Sequence, residues 1–250
     1  MRVKKTALII AFGGMMSASW VAFGHANVVP QNNKDDFSGR QFEEGTTAYI
    51  KLNLAHACKV GPGGVDRRNT NHFTVVFPNN IDLTGIAATF DMHGGQYAGN
   101  VLMTIKTSVD SDWKKIRRQR GPVPTYYSHG ANSEDTRGIQ WQHGDVPDDM
   151  YDNVEIRASL PKLQGCAKKL RVYLPSVQYC ANDTIQAWVK YPTDGFSDSV
   201  IAHYAPYFDI LRNEAKNPLD TTCGDGDTHE IYPTAEDVDK YLKLQLGKGK

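Results

Sequence analysis

The sequence lacks the patterns that identify several common classes of enzyme. It contains no GxSxG nucleophile elbow, no HExxH zinc pair and no glycine-rich phosphate loop followed by Lys and Ser or Thr. It also lacks a surplus of charge, because Lys and Arg number 28 and Asp and Glu number 28. A balanced chain has no electrostatic reason to seek nucleic acid or an anionic membrane. We therefore expect neither an enzyme of these classes nor a nucleic-acid partner.

Long apolar runs are missing after the first residues of the chain. No later stretch approaches the ~18 apolar residues that span a bilayer, so we expect no transmembrane anchor in the mature chain. The beginning differs, since Arg2, Lys4 and Lys5 precede the apolar run Ala7 to Val21 and small residues follow it. This order is typical of a secretory signal peptide. We predict a protein exported to a periplasm or secreted.

The end of this signal decides what the first mature residue is. A cut after Gly24 makes residues 1–24 the signal peptide and His25 the new amino terminus, whereas a cut after Ala26 removes His25. A terminal histidine offers its α-amine and its imidazole to one metal ion as a chelate. Nitrogen donors of this kind suit copper(II), which also heads the divalent affinity series. The cut after Gly24 therefore predicts a copper(II) site.

Cysteines are few, and none stands in a CxxC motif. The four are Cys58, Cys166, Cys180 and Cys223, all in the exported part of the chain. An even number in an oxidising compartment favours two disulfides, and four cysteines allow three pairings that spacing does not separate. A soft copper(I) site made of thiolates is the alternative, although ligand spacing for it is absent.

Short segments of β-branched and aromatic residues recur along the chain, separated by turn residues. Thr46 to Leu54 alternates like a half-buried strand, and His72 to Pro78 follows after a Gly/Pro link, so an antiparallel pair is the simplest arrangement. Similar strand-like segments are Ile86 to Phe90, Val101 to Ser108, Gly138 to Gln142, Asn153 to Leu160, Leu170 to Leu174 and Ile185 to Tyr191. We predict an all-β fold, an antiparallel β-sandwich of immunoglobulin-like or cupredoxin-like general shape, over residues 25–192.

The last residues have a different pattern. Pro206 to Ala215 and Ala235 to Leu246 both place apolar side chains at helical intervals. We therefore predict that residues 193–250 form a separate C-terminal extension with short helices.

Several fragments in this order resemble the YcnI-type family of copper-binding domains. They are His56-Ala57-Cys58, Asn71 to Pro78, Gly138 to Trp141, Val146 to Asn153, Tyr173 to Cys180 and Trp188. The resemblance covers about residues 25–191. It implies a secreted all-β domain that holds one copper(II) in a brace made by a single terminal histidine. It also implies that His25 is that histidine, that Trp141 lies against the metal, and that Cys58 pairs with Cys180 and Cys166 with Cys223.

Further residues are candidates for the same site. The two-residue period of a strand predicts that Trp141 and His143 share a face, which makes His143 a candidate ligand or neighbour of the metal. His93 and His129 are weaker candidates of the same kind. The carboxylate that completes such a brace is left open among Glu43, Glu44, Asp112, Glu134 and Asp145.

These observations predict a copper-binding protein rather than an enzyme. It would take up, store or deliver copper, with an envelope copper transporter or copper chaperone as its partner. Two other hypotheses follow from the same residues. A copper-dependent oxidase resembling the polysaccharide oxygenases would need a second histidine on the metal and an open face for oxygen, and a metal-free envelope interaction domain would follow from a cut after Ala26.

Overall fold

The structure is a computed structural model that describes residues 26–28, 40–60, 66–90, 96–98, 102–127, 130–191 and 202–242. Strands make up most of these ranges. They are β1 (Asn27–Val28), β2 (Gln41–Glu43), β3 (Thr47–Leu54), β4 (Cys58–Val60), β5 (Asp66–Arg68), β6 (Thr70–Val76), β7 (Ala87–Phe90), β8 (Gln96–Ala98), β9 (Met103–Thr107), β10 (Lys115–Tyr127), β11 (Ala131–Val146), β12 (Asp152–Ser159), β13 (Lys162–Leu163), β14 (Ala167–Tyr173), β15 (Ser176–Cys180), β16 (Thr184–Lys190), β17 (Ala202–Tyr204), β18 (Tyr207–Leu211) and β19 (Asp227–Ile231). A helix, α1 (Ala235–Leu242), follows the last of them.

Two sheets form the sandwich. The first has the order β1-β3-β12-β9, and the second has the order β10-β11-β6-β15-β16-β17. Every neighbouring pair in them is antiparallel except β16 with β17, which run parallel. Smaller sheets, β13-β7-β8, β19-β14-β18-β2 and β4-β5, complete the fold. The all-β sandwich predicted from the strand-like segments of the sequence is confirmed.

Alternation of side chains explains why these segments are strands. In β3, Ile50, Leu52 and Leu54 are buried while Tyr49 and Lys51 are exposed. In β12, which pairs with β3, the inward residues are again apolar. They meet the inward residues of the second sheet in one core, which includes Val154, Ile156, Phe73, Val75, Ile139, Trp141 and Trp188. Each sheet therefore buries one face, as a two-layer architecture requires.

The predicted antiparallel pair of Thr46 to Leu54 with His72 to Pro78 is wrong. These segments are β3 and β6, which lie in different sheets. The chain between them makes its own small hairpin, in which Cys58 pairs with Arg68. Because β3 and β6 both have a strongly apolar face, they bury more surface by facing each other across the core than by lying side by side.

The C-terminal segment contains both strands and a helix. Ala235–Leu242 is helical, as the sequence predicts, but the helix predicted over Pro206 to Ala215 is wrong, because Tyr207–Leu211 is a strand. This strand, β18, pairs with β14 on one side and β2 on the other. The backbone hydrogen bonds that β18 makes on both edges outweigh the weak helical spacing of its apolar residues, because the segment is short. Strands from beyond residue 193 thus join sheets with strands of the predicted sandwich.

Both disulfides have the pairing that the family resemblance implies. Cys58 bonds Cys180 with a Cα–Cα distance of 6.1 Å, and Cys166 bonds Cys223 with a Cα–Cα distance of 5.2 Å. The first joins the β4 hairpin to the second sheet, and the second ties the start of β14 to the segment before β19. Such bonds persist in oxidising compartments. Within the described ranges, no helix is both long and apolar enough to cross a membrane.

Candidate metal centre

The strand that follows His25 is held in the first sheet. His25 itself lies outside the described residues, but β1 begins two residues later and pairs with β3 through Asn27 with Asn53 and Val28 with Leu52. Ala26 and Val28 are buried in the core. Extending this register by one residue sets Ala26 beside Leu54, whose partner on the other side is Asp152 of β12. Two strand spacings, about 10 Å, therefore separate the backbone of Ala26 from that of Asp152.

Asp152 is a half-buried carboxylate at this end of the sheet. Its Oδ2 accepts a hydrogen bond of 2.7 Å from Nε1 of Trp113, and its Oδ1 accepts one of 2.7 Å from the backbone N–H of Asn153. Burial raises the pKa of Asp152, and the nearby carboxylates of Asp110 and Asp112 raise it further, although both hydrogen bonds oppose the shift. A cation bound here would offset the cost of the half-buried negative charge.

Sequence reasoning missed Asp152, although the sequence contains a signal for it. Val154, Ile156 and Ala158 alternate as the inward residues of β12, and Asp152 continues that alternation at the first position of the strand. An inward carboxylate at a strand end is unusual, because ionised groups are costly to bury.

Trp113 is fixed by a close contact with Gly144. Its side chain is buried, and a Cβ atom added at Gly144 would lie 2.8 Å from both Cε3 and Cζ3 of the indole. Only glycine leaves room for the ring at that position. The contact holds the indole so that its Nε1 meets Asp152.

Trp141 lies in the core between the two sheets. It is completely buried, and its ring centroid is 5.9 Å from that of Phe73 on β6. Its Nε1 is also buried and has no hydrogen-bond partner among the described residues. Buried indole N–H groups normally have a partner, so this atom is unusual. Contact between Trp141 and a metal stays a prediction.

His143 does not share a face with Trp141, so the expectation from strand periodicity is wrong. Gln142 pairs with His72, but Val146 pairs with Thr70, so four steps along β11 match only two along β6. His143 begins this bulge with a positive φ of 60°. Its ring is 5.2 Å from that of His72, which lies on the outer face of the sheet. The bulge breaks the two-residue period and turns His143 outward.

The candidate carboxylates differ in what they contact. Glu44 is buried and accepts hydrogen bonds from the backbone N–H groups of Leu163 and Asn213 at 2.6 and 2.9 Å, so it holds loops together. Glu43 binds Lys216 at 2.9 Å. Of the other three, Glu134 is exposed, Asp145 accepts from Asn69 at 2.8 Å, and Asp112 lies close enough to Asp152 to raise its pKa. The charge of Asp112 is thus linked to Asp152.

The remaining histidine candidates, His93 and His129, lie outside the described residues. In the ranges that the structure describes, no three or more His, Cys, Asp or Glu side chains are grouped so that they could hold a metal ion. Asp152 therefore belongs to no such group within these ranges.

Comparisons with known proteins found a family model and a solved structure to which this chain is similar. Residues 96–210 match the family model described as "Domain of unknown function (DUF1775)". An uncharacterized protein from Nocardia farcinica, whose crystal structure is described as revealing an immunoglobulin-like fold, is 13% identical with a TM-score of 0.38. That match covers 68% of this chain and 91% of the other. No curated protein matches the chain.

Proposed function

Because this chain belongs, through residues 96–210, to the YcnI-type family described as DUF1775, we propose that it is an exported protein that binds one copper(II) ion through His25. Its role would be to take up, store or deliver copper in a periplasm or outside the cell, in exchange with an envelope transporter or chaperone. The observation that carries the proposal is the register of β1. It anchors the residues directly after His25 about two strands from the half-buried Asp152.

The donors suit copper(II). The α-amine and imidazole of one residue form a chelate, so two nitrogens are supplied while only one terminus is ordered. Pairing of β1 with β3 supports the ordering, because the next residues are already held in the sheet. Asp152 would supply the carboxylate, and Trp113 orients it through the Nε1 hydrogen bond. When bound, copper would contribute a positive charge that offsets the charge of the half-buried Asp152 carboxylate.

Proton competition follows from the same donors. In model compounds the α-amine has a pKa near 7.7–8.0 and imidazole near 6.5, and both must be deprotonated to bind. We therefore expect copper affinity to fall as the pH is lowered from about 8 to about 6.

The first test is the intact mass of the protein after export by a host that processes the signal. A chain starting at His25 is expected, and a chain starting at Asn27 would remove the central ligand and favour the metal-free interaction domain. The processed protein is then titrated with Cu²⁺ and compared with a variant carrying one extra alanine before His25. The extra residue separates the amine from the imidazole, so we expect stoichiometric binding to be lost.

Asp152 is tested separately by Asp152→Asn. We expect about 10- to 100-fold weaker Cu²⁺ binding, the range seen when groups that orient or support a metal site are removed. The matched control is Asp145→Asn, an exposed aspartate that also accepts a hydrogen bond. Equal affinities in Asp152→Asn and Asp145→Asn would exclude Asp152 from the site. Turnover of peroxide with a polysaccharide by the copper-loaded protein would instead support an oxidase.

A further inference from the structure

The outer face of the second sheet is only partly covered. Helix α1 packs against one end of it, where Val76, Val177, Tyr241 and Leu242 form a small apolar cluster. Next to this cluster the sheet presents a groove of about 430 Å³, which Leu242 of α1 borders on one side and whose polar lining includes Asn71, His72, Gln140, Gln142 and Asp183. The groove leaves His72 within reach of a ligand on the outer face of the sheet.

Two histidines meet beside this groove. The rings of His72 on β6 and His143 on β11 have centroids 5.2 Å apart and planes inclined at 63°. His143 is exposed and has a φ of 60°, a backbone conformation that side chains other than glycine rarely adopt. Such conformations persist where surrounding structure imposes them, often at functional sites. Here the bulge in β11 turns the imidazole toward His72.

The state of His72 is suited to metal binding. Its Nδ1 lies 3.0 Å from Oδ1 of Asn71, and in the tautomer with the proton on Nδ1 the ring donates to this carboxamide oxygen. The lone pair is then on Nε2. A hydrogen bond on the other ring nitrogen is also the usual means by which proteins orient a histidine ligand.

We propose that His72 and His143 bind one divalent transition-metal ion of the class that prefers imidazole, such as Zn²⁺, Cu²⁺ or Ni²⁺, on the outer face of the second sheet. Water completes the coordination, since the described residues add no third His, Cys, Asp or Glu to such a group. This site does not depend on the proposed function. Its ligands differ from His25 and Asp152, and it lies on the opposite side of the sheet from the core.

The test uses the mature chain with His25→Ala, so that the brace cannot contribute, and Zn²⁺ as the probe. Calorimetry measures the affinity, and long-range ¹H–¹⁵N spectra identify the ring nitrogens that shift. We expect one Zn²⁺ to bind and the Nε2 resonance of His72 to move. The variants are His72→Gln, which keeps a polar side chain, and His143→Asn, since asparagine tolerates a positive φ. Each is expected to weaken binding at least tenfold.

Controls separate this site from weak binding to surface histidines. His229→Ala removes a histidine of β19 that does not contact the pair, and it is expected to leave the affinity unchanged. Asn71→Leu removes the acceptor that fixes the tautomer and is expected to weaken binding about tenfold without removing a ligand. Equal Zn²⁺ affinities in the parent, His72→Gln and His143→Asn would overturn the proposal, as would an equal loss with His229→Ala. Near-ultraviolet circular dichroism confirms that each variant is folded.

Discussion

The ion pair that attaches α1 to the second sheet supports a quantitative prediction. Nη2 of Arg137 donates to Oδ2 of Asp237 at 2.6 Å, and the two side chains are only 2% and 11% exposed. Asp237 also accepts from Asn80 at 2.8 Å and from the hydroxyl of Thr234 at 2.7 Å, near the start of the helix. The guanidinium has one further acceptor, the backbone oxygen of Pro122 at 2.8 Å, while its Nε has no partner within the described ranges.

Asp237→Ala therefore leaves a buried guanidinium without its counter-charge. Removing one partner of such a pair costs about 3–5 kcal/mol, because the remaining charge stays desolvated. For a protein of this size each kcal/mol lowers Tm by about 2–4 °C, so the expected decrease is about 6–20 °C. Differential scanning calorimetry measures it.

The matched control for this prediction is Asp239→Ala, because Asp239 is an exposed aspartate on the same helix. It changes charge and helix propensity in the same way, and we expect Tm to move by no more than about 2 °C, as for most surface substitutions. A double variant, Arg137→Met with Asp237→Leu, should recover most of the loss, since apolar replacement of a whole buried pair is often neutral. Similar decreases for Asp237→Ala and Asp239→Ala would refute the argument from burial.

Two further predictions concern the bulge in β11. Gly144→Ala places a Cβ 2.8 Å from the ring of Trp113, so we expect overpacking to lower the free energy of unfolding by about 1–3 kcal/mol. Urea unfolding measures this loss. An unchanged free energy of unfolding would show that the ring moves freely. The second prediction concerns His72 of β6, beside the bulge, whose pKa in the folded protein is lowered by burial and then by His143. Neutral His72 therefore stabilises the fold above the pKa of the unfolded chain, which is near 6.5. This stabilisation is lost as the pH falls through the lower pKa of the folded protein. The urea midpoint should decrease from pH 7.5 to 5.0, and less so in His72→Gln; equal decreases in both proteins would contradict the assignment.

The same bulge shapes both candidate sites. On the inner side, Gly144 admits the indole of Trp113, whose N–H holds Asp152. On the outer side, the positive φ of His143 brings its ring to His72. One irregularity in a long strand thus arranges side chains on two faces of the sheet, which is a common use of bulges near functional sites. Gly144→Ala is accordingly expected to weaken Cu²⁺ binding as well as stability, by displacing Trp113.

Much of the fold could be predicted because its signals are local. Alternation in Thr46 to Leu54 specifies a strand with one buried face, and the structure confirms it as β3. The predicted segments from Ile86 to Tyr191 are likewise strands, and Ala235–Leu242 is a helix. The disulfide pairing came from motif order in a family and is also confirmed. His25 as a copper ligand stays a prediction, since it depends on processing and on a residue outside the described ranges.

Tertiary structure decided what local patterns do not encode. Alternation shows that β3 and β6 each bury a face, but only the packing of the whole chain sets them in opposite sheets. Tyr207–Leu211 is a strand because β14 and β2 supply partners on both edges. Asp152 is part of the candidate site because Trp113, which lies 39 residues away in sequence, donates a hydrogen bond to it. His143 left the face of Trp141 because the register with β6 shifts by two residues, and strand periodicity holds only while the pairing is continuous.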